Sequence, residues 1–311
     1  MDAYPSTILE FETRFASEEA CREYLVSLRW PEGFQCPTCG HPKAWWTARL
    51  LLHCAQCGHQ TSVTAGTVLQ DTRKPLRLWF RAMWYVTSQK SGVSALGLQR
   101  VLGLGSYHTA WTWLHKLRRA MVRPGRDRLT GTVQVDETYL GGERPGTGGR
   151  GAAGKSLVVI AAEQDGARTG RIRLRRVPDA SASSLHGAIT AAVEVGSVIE
   201  TDGWAGYYGL DRVGYDHRII RKADQLGEHP LPHCHRAASV LKRWLLGTHQ
   251  GAVRRSHLDY YLDEFTFRFN RRTSRSRGLL FYRLAQQAVA LDPVPESQLR
   301  LGKADDHRPE V

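Results

Sequence analysis

Several features common in membrane and secreted proteins are missing from this sequence. No apolar run approaches the roughly 18–20 residues that a membrane-spanning helix needs. The N-terminal stretch MDAYPSTILEFETRF carries acidic residues where a secretory signal needs basic ones and then an apolar core. We therefore expect a soluble cytoplasmic protein with no membrane partner.

Acidic residues are also scarce relative to basic ones. The 311 residues include 30 Asp and Glu against 43 Lys and Arg, a formal net charge of +13. Such a basic excess favours a polyanionic partner, most often nucleic acid, although a merely basic soluble protein is the alternative. With 41% hydrophobic and 23% charged residues, the composition is globular, which excludes disordered and fibrous classes.

The charge is distributed unevenly along the chain. Residues 1–71 have a net charge of −3, residues 72–131 of +11, residues 132–220 of −1, residues 221–292 of +7 and residues 293–311 of −1. Two strongly basic blocks thus alternate with nearly neutral or acidic ones, which indicates a modular organisation. No internal repeat is visible, and Gly141–Gly154 is the one low-complexity stretch, predicted to be a flexible loop.

Four of the six cysteines form two CxxC pairs separated by fourteen residues. They are Cys36, Cys39, Cys54 and Cys57. Two such turns can place four thiolates at the corners of a tetrahedron around zinc, and Gly40 and Gly58 supply the permissive backbone that each turn needs. A disulfide framework is the weaker alternative in a chain without an export signal. The pattern predicts a structural zinc ribbon, whose closed coordination leaves no position for a substrate.

The remaining cysteines and the nearby histidines have simpler interpretations. Cys21 and Cys234 are predicted to be buried thiols. His41, His53 and His59 flank the two CxxC turns but are not needed as ligands, because four thiolates complete the site.

The first basic block has helical periodicity. Apolar residues recur at spacings of three and four after Pro75, a second helix begins near Ser94, and Ser106 caps a third after Gly103–Gly105. This arrangement indicates a DNA-binding helix-turn-helix, with a plain three-helix bundle as the alternative. The expected DNA-binding residues are Tyr107, His108 and Thr109 at the start of the third helix and Lys116, Arg118 and Arg119 at its end.

The second domain alternates strand and helix patterns. The expected strands are 132–140, 157–162, 171–177, 198–201 and 215–221, and the expected helices are 181–195 and 233–246. This order predicts an α/β domain around a mixed sheet. Asp136 and Asp202 lie at strand ends, where carboxylates suit Mg²⁺, but strand-end aspartates often only cap turns.

Six stretches together resemble a known family. They are WPEGFQCPTCG, CAQCG followed by TSVTAGTVLQDTRKPL, DETYLGG, ETDGWAGY, LKRWLLGTHQGAV and YLDEFTFRFNRR. In this order they resemble bacterial insertion-sequence transposases of the zinc-ribbon DDE class along roughly residues 10–290. The resemblance implies a ribonuclease H-like catalytic fold, two catalytic Mg²⁺ ions, binding of terminal inverted repeats and target DNA, and a homo-oligomer in the synaptic complex. It makes Asp136 and Asp202 the first two metal ligands.

The third metal ligand departs from the family pattern. Counting back seven residues from Lys242 gives His235 instead of the family's Glu, and Val240 stands where other members have Asn. Either His235 supplies an imidazole ligand, 33 residues after Asp202, or the site has decayed and only binds DNA. Glu264 is a further candidate, but a salt bridge with Arg268 four residues on is the favoured interpretation.

Other residues are expected to contact DNA. Lys242, Arg243, Arg271 and Arg272 are candidates for phosphate contacts, with Lys242 suggested by the resemblance. Trp204 is a candidate for stacking on an unpaired base, although core packing is an equal alternative.

The sequence thus predicts a multidomain α/β protein. Its expected parts are an N-terminal segment and zinc ribbon at 1–71, a helix-turn-helix at 72–122, a linker at 123–131, a ribonuclease H-like catalytic domain at 132–292 and a polar tail at 293–311. The expected function is Mg²⁺-dependent DNA strand cleavage and transfer. The alternative is a catalytically decayed, transposase-derived DNA-binding protein or regulator.

Overall fold

The computed structural model describes residues 4–123, 125–141, 155–221, 229–251 and 253–302. The chain divides into two compact units, Met1–Arg123 with Ser274–Arg300 and Pro124–Thr273 with Leu301–Val311. Most of the expected Gly-rich loop, residues 142–154, lies outside the described residues.

The elements follow the chain in this order. The helices are α1 Ile8–Arg14, α2 Glu18–Arg29, α3 Leu76–Ser88, α4 Ala95–Leu102, α5 Tyr107–Arg119, α6 Ala182–Ala192, α7 Pro232–His249, α8 Leu258–Asn270, α9 Arg277–Ala290 and α10 Glu296–Leu301. The strands are β1 Ala44–Trp46, β2 Leu52–Cys54, β3 Gln60–Thr61, β4 Thr132–Leu140, β5 Ser156–Asp165, β6 Arg168–Val177, β7 Val198–Thr201 and β8 Asp216–Ile219. Among these described helices, none combines the length and apolar character needed to cross a membrane.

The first unit joins a small antiparallel sheet, in the order β1-β2-β3, to a helical core. That core is aromatic: the ring of Phe281 on α9 lies 5.3–6.2 Å from those of Phe11, Phe15, Tyr24 and Phe80. Phe281 is fully buried by these contacts. The segment 274–300 therefore packs with the first unit, whereas the sequence analysis ended the catalytic domain at 292. Helix α9 belongs to the unit whose side chains bury its apolar face, and the distribution of charge along the sequence does not show which unit that is.

Helices α3, α4 and α5 begin where the sequence predicted. The side chains of Ser94 and Ser106 accept hydrogen bonds from the backbone amides of Gly97 and His108, which caps α4 and α5. Gly103 ends α4 with a left-handed φ of 63°, a conformation that glycine adopts without steric cost. The helix pair and its glycine turn are therefore present.

The second unit is built on a mixed five-stranded sheet in the order β6-β5-β4-β7-β8. Strands β6, β5 and β4 pair antiparallel, while β4, β7 and β8 pair parallel. This confirms the expected α/β domain with a mixed sheet. The observed β5 and β6 each extend about three residues beyond the prediction at the hairpin that joins them, because pairing continues as far as Asp165 and Arg168.

Helices cover both faces of this sheet. One face packs against α7 and α8 through residues that include Leu140, Ile160, Ile172, Leu174, Cys234, Leu241 and Phe265. The other packs against α6 and the segment after β7 through residues that include Val133, Val135, Val159, Leu185, Ile189, Ile199 and Tyr207. Because successive side chains on a strand point to opposite faces, the parity of a residue number on β4 or β7 tells which layer the side chain meets.

Candidate metal and nucleic acid sites

The four CxxC cysteines meet at one point. Their ligating sulfur atoms all lie within 4.8 Å of one another, and Cys36–Cys57 and Cys39–Cys54 are each 3.6 Å apart between Sγ atoms. Four sulfurs at about 2.3 Å from a tetrahedral zinc ion are about 3.8 Å apart, so the donor set fits the metal. The predicted structural zinc site is confirmed in geometry and ligand chemistry.

The two turns that carry these cysteines have matching backbone. Gly40 and Gly58 both have a φ of 71°, and their amides donate to the carbonyls of Cys36 and Cys54. The amide of Cys57, followed by that of Gln56, counteracts burial and lowers the pKa of the Cys54 thiol, which favours its thiolate form. No histidine belongs to the cluster among the described residues, as predicted.

The two isolated cysteines are buried, as predicted. Burial raises the pKa of Cys21 to about 12. It also raises the pKa of Cys234, a shift increased by the nearby charge of Asp136. Cys234 lies in the first turn of α7, so this helix begins close to the strand that carries Asp136.

Strand pairing brings together the parts of β4 and β7 that precede Asp136 and Asp202. In the parallel pair β4–β7, Thr132 faces Val198 and Gln134 faces Glu200. The paired register ends there: Asp136 lies two residues further along β4, and Asp202 lies two residues further along the chain, directly after β7. Because alternate residues of a strand share a face, Asp136 lies on the same side of β4 as Leu140, which belongs to the layer of α7.

Backbone amides orient the two carboxylates. The Glu137 amide donates to Asp136 Oδ1 at 2.8 Å, and the Trp204 amide donates to Asp202 Oδ1 at 3.0 Å. Asp136 is half-buried and Asp202 is exposed. Two oriented carboxylates of this kind are the hard oxygen ligands that Mg²⁺ prefers, so the donor chemistry fits this cation.

Glu137 follows Asp136 in sequence but faces the other layer. Its Oε2 atom accepts a hydrogen bond from the Tyr207 hydroxyl at 2.6 Å. Tyr207 is fully buried. Burial, followed by the charge of Glu137, raises the pKa of Tyr207, so its hydroxyl remains a donor. Two adjacent acidic residues thus belong to different environments.

Glu200 lies on the same face as Asp136. Its Oε2 accepts a hydrogen bond from the Gln134 side-chain amide at 3.1 Å, and Gln134 Oε1 accepts one from the His233 backbone amide at 2.9 Å. These contacts join β7, β4 and the start of α7. Burial lowers the pKa of His233, whose Nδ1 lies 3.0 Å from the Thr169 hydroxyl.

The expected third ligand, His235, lies on α7. Its ring stacks on that of His229 with centroids 4.4 Å apart. Within the described chain, the four cysteines are the sole group of three or more potential ligands whose donor atoms all lie within 4.8 Å. His235 is therefore not gathered with Asp136 and Asp202 to that distance.

His235 and Val240 occupy different sides of α7. Five residues of α-helix turn through about 140°, so the two positions cannot face Asp136 equally. Val240 is exposed, as are Lys242 and Arg243 two and three residues on.

The loop after Asp202 is closely packed. The Trp204 indole donates to the Ala180 carbonyl at 3.0 Å while the side chain remains 36% exposed. A Cβ atom on Gly206 would lie 2.5 Å from the same carbonyl oxygen. One edge of Trp204 is thus hydrogen-bonded within its own domain, while the side chain stays partly exposed.

Glu264 has the structural role that the sequence analysis favoured. It is fully buried on α8, and its Oε1 lies 2.7 Å from Arg268 Nη2. The predicted pairing four residues apart is confirmed.

The basic residues of α5 have unequal access to solvent. Tyr107 is 54% exposed at the start of the helix, whereas Arg118 is only 2% exposed. Arg118 as a DNA contact is therefore wrong in this fold, because its guanidinium group is buried 3.4 Å from His115 Nε2. Lys116 is half-buried with its Nζ atom 3.4 Å from the Gln70 carbonyl, and burial lowers its pKa. Arg119 is also half-buried.

Residues at the start of α5 meet α10. The His108 ring contacts the carboxylate of Glu296, and Arg300 Nη2 lies 2.6 Å from His108 Nε2. Thr109 is half-buried beside them in sequence.

Arg271 and Arg272 are engaged with their own domain. Arg271 donates to the Phe267 carbonyl at 3.3 Å, and Arg272 donates to the Phe269 carbonyl at 2.8 Å. Arg272 also contacts the Thr169 carbonyl on β6. Both guanidinium groups therefore cap the end of α8, a role the sequence analysis missed.

Sequence reasoning also missed Glu137, Glu200 and Tyr207. A signal was available for Glu200 in the spacing, because it lies on the strand that ends just before Asp202. No comparable signal linked Glu137 to Tyr207, which are 70 residues apart.

Comparisons with known proteins agree with these features. Residues 128–270 match the family model of the ISXO2-like transposase domain, and residues 16–60 match that of the transposase zinc-ribbon domain. The chain is 26% identical over 277 residues to a Halobacterium salinarum protein described as "Uncharacterized protein in transposable element ISH50". This match covers 82% of the chain and 91% of the relative.

Proposed function

We propose that this chain, which matches the transposase zinc-ribbon and ISXO2-like transposase domain models, is an insertion-sequence transposase that cleaves DNA strands at the ends of its element and transfers them to a target. The catalytic domain is proposed to be ribonuclease H-like, as the resemblance implies. Its mixed sheet with helices on both faces supports this assignment.

The observation that carries the proposal is the register between β4 and β7. We take this register as bringing Asp136 on β4 near Asp202, which directly follows β7, and each carboxylate accepts a hydrogen bond from a backbone amide. Many strand-end aspartates merely cap turns, but two in the same register concentrate negative charge at one point. Such a pair is suited to holding a divalent cation.

The side chains have distinct proposed roles. Asp136 and Asp202 hold the cations, and His235 is the proposed third ligand. When bound, two Mg²⁺ ions supply Lewis acidity that activates the attacking water or 3′-OH and stabilises the leaving 3′ oxygen. The sequence contains no Ser or Tyr nucleophile constellation that indicates a covalent protein–DNA intermediate.

The proposed recognition of the element's ends uses the first unit. The α4–α5 pair is proposed to act as a helix-turn-helix, with Tyr107, His108 and Thr109 near base edges. The zinc ribbon would help to position the DNA. Lys242 and Arg243 are proposed phosphate contacts, since both are exposed on α7. A homo-oligomer is proposed for the synaptic complex.

One observation favours a second candidate function. Asp136, Asp202 and His235 do not come within the mutual 4.8 Å that the cysteines reach, and Val240 has no lone pair to offer. The alternative is therefore a transposase-derived protein that binds DNA without cutting it.

Metal-dependent nicking separates the two candidates. The substrates are oligonucleotides that carry the element's inverted repeats, with Mg²⁺ or Mn²⁺ present. We expect nicking by the unmodified protein, its loss in Asp136→Asn with DNA binding retained, and no change in Asp211→Asn, which alters an exposed aspartate beyond the site. Absence of nicking by the unmodified protein with both metals contradicts the enzyme and supports the DNA-binding alternative.

A further substitution tests the third ligand. Replacing His235 with Ala is expected to reduce nicking at limiting Mg²⁺ and to leave DNA affinity unchanged. Activity equal to that of the unmodified protein at all Mg²⁺ concentrations shows that His235 is not a ligand.

A further inference from the structure

A series of hydrogen bonds connects Asp136 with Asp202 through residues that are not proposed metal ligands. The Glu137 amide donates to Asp136 Oδ1 at 2.8 Å, and the Glu137 carboxylate accepts from the Tyr207 hydroxyl at 2.6 Å. Glu137 thus contacts Asp136 through its backbone and the opposite layer through its side chain.

The connection continues from Tyr207 to the second aspartate. The Tyr207 amide donates to the Trp204 carbonyl at 2.9 Å, and the Trp204 amide donates to Asp202 Oδ1 at 3.0 Å. Hydrogen bonds and short stretches of backbone therefore link one carboxylate to the other without passing through a metal.

The loop that carries this link has little room to move. Tyr207 is fully buried among the residues of the α6 layer. The Trp204 indole donates a hydrogen bond to the Ala180 carbonyl. Gly206 lies so close to the same carbonyl that an added Cβ would be 2.5 Å from its oxygen. The Glu137–Tyr207 bond is thus one fixed point of a tightly packed turn.

We propose that Glu137 and Tyr207 are positioning residues that hold Asp202 in register with Asp136. The inference rests on the proposed function only in taking these two aspartates as metal ligands. If Tyr207 only filled the core, its hydroxyl would not need the Glu137 carboxylate as an acceptor. A charge-assisted hydrogen bond instead fixes the distance and direction between the two side chains. The Glu137–Tyr207 bond lies in the layer that packs against α6, on the opposite side of β4 from Asp136, so neither residue is proposed as a metal ligand.

The test compares two neighbouring tyrosines. Tyr207→Phe removes one buried hydroxyl and keeps the ring, while Tyr208→Phe makes the same change at a residue that is 57% exposed. Glu137→Gln keeps an oxygen acceptor for Tyr207, and Glu137→Ala removes it. Zinc-loaded full-length protein is used throughout.

The first readout is the affinity for Mn²⁺ without DNA, which is measured from the electron paramagnetic resonance signal of the free ion. Partners that orient metal ligands are typically worth about 10–100-fold in affinity, so we expect Tyr207→Phe and Glu137→Ala to weaken binding about tenfold. Glu137→Gln should recover most of the affinity, and Tyr208→Phe should not change it. Folded Tyr207→Phe that binds Mn²⁺ within twofold of the unmodified protein overturns the proposal, even if its melting temperature falls.

The second readout needs no metal. Hydrogen exchange of the backbone amides of residues 203–208 should accelerate in Tyr207→Phe and stay unchanged in Tyr208→Phe. If Asp136→Asn does not alter Mn²⁺ binding, the proposed metal site is wrong. The exchange experiment then still tests whether the Glu137–Tyr207 bond orders the loop that carries Asp202. Unchanged exchange in Tyr207→Phe contradicts it.

Discussion

The zinc ribbon and the proposed carboxylate site differ in how their metal ligands would be assembled. In the ribbon, four sulfur atoms from two short turns lie within 4.8 Å of one another. In the second unit, Asp136 on β4 and Asp202 after β7 are 66 residues apart, and the pairing of these two strands carries the proposal that they share a metal. Turn geometry therefore fixes one site, and sheet topology fixes the other.

This difference explains how the two sites depend on the fold. The ribbon sheet has only three short strands, and in such a small module a structural metal supplies much of the folding free energy. The carboxylate site lies on a sheet that is covered on both faces by helices, which provide the stability. We expect metal removal to unfold the first region and to leave the second folded.

The largest predicted effect comes from removing one thiolate. Structural zinc binds with an apparent free energy on the order of 10 kcal/mol in small fingers, so Cys36→Ser should lose its zinc on dialysis against a chelator. Metal analysis should find about one zinc per chain in the control Cys21→Ala, which alters a buried thiol outside the cluster. Retention of zinc by Cys36→Ser would falsify the four-thiolate site.

The two sites also differ in how far sequence reasoning could reach. CxxC spacing predicts ligands directly, because each pair needs only one local turn. Asp136 and Asp202 could be placed at strand ends, but their adjacency needed the pairing of β4 with β7, which periodicity does not give. The arginines show the same limit: Arg118, Arg271 and Arg272 are alike as DNA candidates in sequence, but packing buries Arg118, whereas Arg271 and Arg272 hydrogen-bond to carbonyls of α8 and stay proposed phosphate contacts.

The next largest effect contrasts a structural carboxylate, Glu264, with a proposed metal ligand, Asp136. Glu264→Ala removes the buried carboxylate that pairs with Arg268, itself largely buried, and breaking a buried pair typically costs about 3–5 kcal/mol. Asp136→Asn should change the free energy of unfolding by less than about 1 kcal/mol, because the residue is half-buried and near solvent. Urea unfolding with zinc present measures both, and equal losses would remove the distinction.

A smaller effect tests the packing of the Asp202 loop. Gly206→Ala forces its new Cβ against the Ala180 carbonyl, and overpacking typically costs about 1–3 kcal/mol. Gly187→Ala on α6 is the control, since a Cβ there meets nothing within 4 Å. It should stabilise the helix by up to about 1 kcal/mol. A loss in thermal stability for Gly187→Ala, with none for Gly206→Ala, would contradict this account of the loop.

The smallest effect is a pH dependence at the far end of the sheet. Burial alone would raise the pKa of Glu163, but hydrogen bonds from Arg171 and from the Thr130 amide lower it. A carboxyl group whose pKa is lower in the folded state stabilises the fold at pH values above its unfolded pKa of about 4.3. This stabilisation is lost as the pH falls through the folded pKa. The pair is partly exposed, so we expect less than about 1 kcal/mol.

The measurement is the difference in melting temperature between Glu163→Gln and the unmodified protein from pH 3.5 to 7. The variant should be less stable near pH 7, and the difference should shrink below about pH 4.3. A difference in melting temperature that grows toward acid pH would contradict the proposed stabilisation by Glu163.

The most direct test of the central claim is anomalous diffraction from zinc-loaded crystals soaked in Mn²⁺. If the β4–β7 register assembles a metal site, a manganese peak should lie between the carboxylates of Asp136 and Asp202, with oxygens of both bound to it. Zinc should appear only among the four cysteine sulfurs. Manganese bound to neither aspartate at saturating concentration, with the zinc ribbon intact, would contradict the account.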